Sequence, residues 1–98
     1  MTELFDTSFG NLERAMEIST RRQEVIASNI ANANTPGYQP LSFDDELMKA
    51  VGRQDQNEVV LEEELAALTE NSVKYSSYAK LFSARLNILR TIATQGRR

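Results

Sequence analysis

Apolar residues recur with alternating steps of four and three along the first third of the chain. This heptad pattern, which includes two polar positions, runs through Phe5, Phe9, Leu12, Met16, Ser19, Gln23, Ile26, Ile30 and Ala33. A 3.5-residue repeat keeps one stripe of a helix turned toward a partner helix. The pattern therefore predicts a coiled-coil-like α-helix from about residue 3 to residue 33.

The segment Asn34-Thr35-Pro36-Gly37-Tyr38 marks the end of this helix. Pro36 and Gly37 occupy the second and third positions of a four-residue turn, where a type II turn needs a fixed negative φ followed by a positive one. Thr35 is disfavoured in a helix because it precedes a proline. We expect the helix to end by about Asn34.

A second heptad pattern begins near Glu58 and keeps its register through Leu61, Leu65, Leu68, Ser72, Tyr75, Ala79, Phe82, Leu86, Leu89 and Ala93. Neither Pro nor Gly interrupts it before Gly96, so a helix of about 35 residues is expected. Glutamates lie early in this segment, whereas Lys and Arg lie late. This distribution suits the helix dipole at both ends.

Residues 39–57 separate the two patterns and contain Pro40, Gly52 and a polar run at 53–57. Because only residues 43–51 form a weak amphipathic stretch, we interpret the segment as a loop with about two helical turns. The chain then divides into an N-terminal axial helix and turn (1–36), a central loop with a short helix (37–57) and a C-terminal axial helix (58–98). The predicted fold class is all-α, with two long helices in an antiparallel coiled-coil-like hairpin and a short irregular central segment.

The apolar residues fall into two sets with different expected partners. The hairpin seam joins the two helices of one chain and comprises Leu12, Met16, Ile26, Ile30, Leu65, Leu68, Tyr75, Phe82, Leu86 and Leu89. An assembly face flanks the seam and comprises Leu4, Ile18, Val25, Tyr78, Leu81, Ile88 and Ile92. Leaving several such side chains in water forfeits several kcal/mol at roughly 25 cal/mol per Å². Either other chains cover them, or the central segment folds back over one flank.

Composition excludes several classes of function. The 98 residues contain no Cys and no His, and the formal net charge is −3. These facts argue against thiolate or imidazole catalysis, most transition-metal sites and nucleic-acid binding. Acidic runs at 44–46 and 62–64 are interpreted as solvated surface rather than as catalytic or metal-binding carboxylates. We therefore predict no enzyme activity, no metal and no cofactor.

The chain has no apolar run of the roughly 18 residues needed to span a bilayer, and its start lacks the basic and apolar regions of a cleaved signal. No membrane anchor is expected. A protein of this kind would leave the cytoplasm only by a route without a cleaved signal peptide.

Three asparagines, Asn29, Asn32 and Asn34, lie at the end of the first predicted helix. Asparagine is a poor residue for a helix interior because its amide competes for backbone hydrogen bonds. The cluster indicates either fraying before the turn or amides that satisfy backbone groups where several chains meet.

The decapeptide from Asn29 to Tyr38, Asn-Ile-Ala-Asn-Ala-Asn-Thr-Pro-Gly-Tyr, resembles the signature of the bacterial flagellar rod and hook family. The segments 60–65, 70–75 and 89–92 are similar to the proximal rod subunits of that family. The signature residues on this chain are Asn29, Asn32, Asn34, Thr35, Pro36, Gly37 and Tyr38. Between Tyr38 and Glu58 the chain is shorter than the family pattern.

The resemblance implies a structural subunit of the bacterial flagellar basal body, in the periplasmic proximal rod. It implies export through the flagellar type III apparatus, for which Phe5 and Phe9 form a possible signal. The implied partners are copies of the chain, other rod subunits, the rod adaptor, the membrane ring and the export gate. The alternative is a soluble helical adaptor or export chaperone of the same secretion system.

Overall fold

A computed structural model describes the backbone of residues 2–96 and the side chains of residue 7 and residues 9–96. The chain forms two long helices, α1 (Thr2–Ala31) and α2 (Leu61–Gly96). Two short strands, β1 (Leu41–Asp44) and β2 (Lys49–Gly52), lie between the helices in the sequence. Both helices therefore form, close to the bounds that their heptad patterns predict.

The two helices pack side by side in opposite directions. Phe9 contacts Phe82, Asn71 bonds to Ser19, and Asn29 bonds to Glu64, so that rising numbers on α1 meet falling numbers on α2. The molecule extends 65 Å along its longest axis and only 23 and 15 Å across. A body this thin offers few positions that are remote from solvent.

The all-α prediction is wrong, because the central segment forms a β-hairpin. Strands β1 and β2 pair antiparallel, with Leu41 opposite Gly52 and Asp44 opposite Lys49. The Asp44 carboxylate accepts from the backbone N–H groups of Glu46 and Leu47, both at 2.9 Å, and Met48 closes the loop with φ of 52°. These local bonds favour a hairpin turn over the predicted helical turns.

The β-hairpin folds back along α1. Asn29 bonds to Leu41 at one end of β1, and Arg22 forms an ion pair with Asp45 at the other. Val25 lies on α1 one helical turn from both Asn29 and Arg22, the two residues that bind the β-hairpin. The hairpin therefore covers the side of α1 that carries Val25, and Val25 is only 8% exposed. This residue belongs to the monomer core and not to the predicted assembly face. Ile18, on the same flank, is half-buried.

Helix α2 turns a different side toward α1 than its apolar pattern predicts. Two seam residues, Leu65 and Tyr75, are 46% and 40% exposed, whereas Glu64 and Asn71 are buried. The apolar pattern is therefore offset by one residue at these positions. The reason lies on α1, where polar residues require polar partners from α2.

Few apolar side chains are buried. Among the residues whose side chains are described, the buried apolar core consists of Leu12, Val25 and Ile26, while the remaining seam residues of α1, Met16 and Ile30, are half-buried. On α2, Leu68, Phe82, Leu86 and Leu89 are likewise half-buried. The most completely buried large side chains are Glu64, Asn29, Pro40 and Ser19. Polar contacts thus occupy the centre of the molecule.

Candidate functional site

The turn after α1 is a type II turn. The Tyr38 N–H donates to the Thr35 carbonyl oxygen at 3.2 Å, and Gly37 has φ of +77°. The Asn32 amide donates to the Ser28 carbonyl at 2.9 Å and accepts from the Thr35 hydroxyl at 3.2 Å. Local side-chain bonds therefore hold the end of the helix and the start of the turn together.

Asn29 is completely buried (0% exposed) and joins three elements. Its Nδ2 donates to the Leu41 carbonyl at 2.9 Å and to Glu64 Oε2 at 3.2 Å. Its Oδ1 accepts from the Leu41 N–H and from the Tyr38 hydroxyl, both at 2.9 Å. All four bonding positions of the amide are occupied. Asn29 thereby fixes the turn, the first strand and α2 against α1.

The Tyr38 hydroxyl also contacts the Ser28 hydroxyl at 3.0 Å. Because Tyr38 has one proton and donates it to Asn29 Oδ1, Ser28 donates to Tyr38. The aromatic ring thus returns from the turn to the last part of α1.

Glu64 is a buried carboxylate, 1% exposed, in the first turn of α2. Its Oε1 lies 2.6 Å from Arg53 Nη1, and Oε2 accepts from Asn29. Arg53 also donates to Ser42 Oγ at 3.0 Å and to Gln56 Oε1 at 2.7 Å. Each charge therefore has a partner of opposite sign and further hydrogen bonds, which a buried ion pair requires.

Asn71 forms a second polar contact between the helices. Its Nδ2 donates to the Ser19 backbone carbonyl at 2.7 Å and to Gln23 Oε1 at 2.9 Å. Ser19 and Gln23 are the two polar positions of the first heptad pattern. The small Ser19 side chain lets Asn71 approach the backbone of α1. The Asn71 Oδ1 atom is buried and accepts no hydrogen bond from the described residues.

The signature residues therefore occupy different environments. Asn29 is buried and Tyr38 is half-buried, whereas the exposed members are Asn34, Thr35, Pro36 and Gly37. The sequence left open whether the asparagines mark fraying or satisfy backbone groups. Asn29 and Asn32 satisfy backbone groups, and they do so within one chain.

Large apolar side chains remain exposed on α2. On the predicted assembly face, Leu81, Ile88 and Ile92 are each about half exposed (49%, 52% and 52%), and Tyr78 is half-buried. The Leu4 side chain lies outside the described residues. Of the possible export signal, the Phe5 side chain also lies outside them, whereas the Phe9 ring packs edge-on against Phe82 with centroids 5.1 Å apart.

Sequence reasoning missed Arg53, Glu64 and Asn71 as site residues. Glu64 belongs to a run of three glutamates, and Asn71 is adjacent to Ser72 of the second heptad pattern. Because both residues lie outside that heptad pattern, nothing in the pattern marks them as buried. The informative signal was on α1, where the non-apolar heptad positions Ser19 and Gln23 called for polar partners on the opposite helix.

The described side chains include no cluster of three or more His, Cys, Asp or Glu residues able to hold a metal ion. Neither helix, over residues 2–96, is sufficiently long and apolar to cross a membrane. The site offers packing and hydrogen bonding: a rigid corner built on Asn29 and exposed apolar surface on α2.

Comparison with known proteins gives a consistent result. A family model described as flagella basal body rod protein matches residues 11–39, which cover most of α1 and the turn. The flagellar basal body rod protein FlgB of Escherichia coli K12 is 42% identical over 55 residues, covering 54% of this chain and 40% of the relative. The FlgB of Salmonella typhimurium LT2 is 38% identical over 65 residues, covering 62% of this chain and 47% of the relative.

These two alignments thus span less than half the length of each relative. The FlgB of Bacillus subtilis 168 is 25% identical over 127 aligned positions, which cover 96% of this chain and 98% of the relative. That alignment is longer than the 98-residue chain, so the relative has additional residues within the aligned region. The turn that the structure builds around Asn29 and Gly37 lies inside the segment matched by the family model. The chain is therefore similar to flagella basal body rod proteins, over α1 and the turn in the family model and over nearly its whole length in the Bacillus subtilis relative.

Proposed function

We propose that this chain is a structural, non-enzymatic subunit of the bacterial flagellar basal-body rod and that it assembles through the faces of its two long helices. The match of residues 11–39 to the rod family carries this proposal, because it covers the α1 end and the turn that Asn29 fixes. That corner sets the direction in which the chain leaves α1. A polymer subunit needs such a fixed geometry, since each copy must present the same surfaces.

The exposed apolar surface of α2 supports the assembly role. Leu81, Ile88 and Ile92 are each about half exposed, while the buried apolar core of the described side chains comprises three residues. At roughly 25 cal/mol per Å², covering these side chains would release several kcal/mol, comparable to the stability of a small domain. Neighbouring subunits would supply the cover.

The individual binding partners of the chain and its export pathway are part of the same proposal. We infer contacts with copies of the chain and with other rod subunits, and placement in the periplasmic proximal rod beside the rod adaptor, the membrane ring and the export gate. Export would use the flagellar secretion apparatus without cleavage of a signal peptide. The packing of Phe9 on Phe82 accounts for Phe9 within the folded chain, and a role of Phe5 and Phe9 in export stays a prediction.

Two variants of α2 test the assembly role. Ile88→Asp changes an exposed residue, so the helicity of the monomer should be unchanged, whereas incorporation into basal bodies should be lost because a charge would be buried on assembly. Leu86→Ala truncates a half-buried residue and should lower stability already in the monomer. Circular dichroism measures the helicity and stability of both monomers, and immunoblotting of purified basal bodies measures their incorporation.

Normal incorporation of Ile88→Asp would contradict the assembly face. Retention of the unmodified chain in the cytoplasm, with none in the basal body, would contradict the rod proposal itself and favour the adaptor or chaperone alternative.

A further inference from the structure

We draw no further inference here: the strongest candidate, the exposed tip of the β-hairpin at Leu47 beside the acidic residues 44–46, carries no proposal because nothing in the structure shows what covers it.

Discussion

Replacing Asn29 by Ala should destabilise the chain more than any other single change within the signature turn. The substitution removes all four hydrogen bonds of a side chain with no solvent exposure. The Leu41 N–H, the Leu41 carbonyl and the Tyr38 hydroxyl each lose a partner, and Glu64 keeps only Arg53.

Leaving one buried polar group unsatisfied costs about 1–3 kcal/mol. The Tyr38 hydroxyl keeps its contact with Ser28, but the Leu41 N–H and the Leu41 carbonyl are left without their Asn29 partner. These two groups, together with the weaker support for the Glu64 carboxylate, give an expected loss of about 3–5 kcal/mol. A domain of this size has a total stability of roughly 5–15 kcal/mol. Asn29→Ala should therefore remove a large share of the stability of the chain.

Urea denaturation followed by circular dichroism measures the loss as a lower midpoint. Two variants calibrate it. Asn34→Ala alters an exposed asparagine of the same signature and should shift the free energy of unfolding by less than about 0.5 kcal/mol. Tyr38→Phe removes one hydroxyl from the Asn29 contact and should cost about 1 kcal/mol. If Asn29→Ala unfolds at the same urea concentration as Asn34→Ala, the buried amide does not hold the corner together.

Further predictions concern the turn, the buried ion pair and a surface ion pair. Gly37→Ala should cost about 1–2 kcal/mol from backbone strain at φ of +77°, even though no atom lies within 4 Å of the added Cβ. Gly10→Ala, in helical backbone with open space around it, should instead stabilise the chain by about 0.5–1 kcal/mol. Equal thermal unfolding midpoints for the two variants would refute the strain argument. Arg53→Met should cost about 3–5 kcal/mol because Glu64 stays buried without its cation, and adding Glu64→Gln should restore part of that loss; a double variant no more stable in urea than Arg53→Met would contradict this reasoning. Arg22→Met removes a partly exposed ion pair with Asp45 and should change stability by less than about 1 kcal/mol, as measured by the same denaturation.

The long helices and the turn could be predicted because their signals are local. Heptad spacing marks the helices, and Pro36 with Gly37 marks a turn that needs a positive φ at one position. The β-hairpin was missed because Phe43, Leu47 and Val51 recur every four residues, which imitates a helix. The better signal was Leu41-Ser42-Phe43-Asp44, where apolar and polar residues alternate as in a strand with one covered face.

The orientation of α2 could not be predicted from apolar periodicity. Hydrophobic burial favours Leu65 on the inside, but the structure places Glu64 and Asn71 there. Their partners, Asn29 on one side and Ser19 with Gln23 on the other, are 35 to 52 residues away in sequence. Long-range hydrogen bonding therefore decides the rotation of the helix, and such bonding leaves no repeating pattern in the chain.

The two buried polar contacts between α1 and α2 also specify a single sliding position. Helices joined only by leucines can shift by one heptad and still present apolar side chains to each other. Here a shift of seven residues would move Glu64 away from Asn29 and Asn71 away from Ser19 at the same time. A carboxylate and an amide would then be buried without partners, at a cost of several kcal/mol. The two buried polar contacts therefore fix the axial register of α2 against α1. As a result, the axial distance between the turn and every exposed side chain on α2 is the same in each copy.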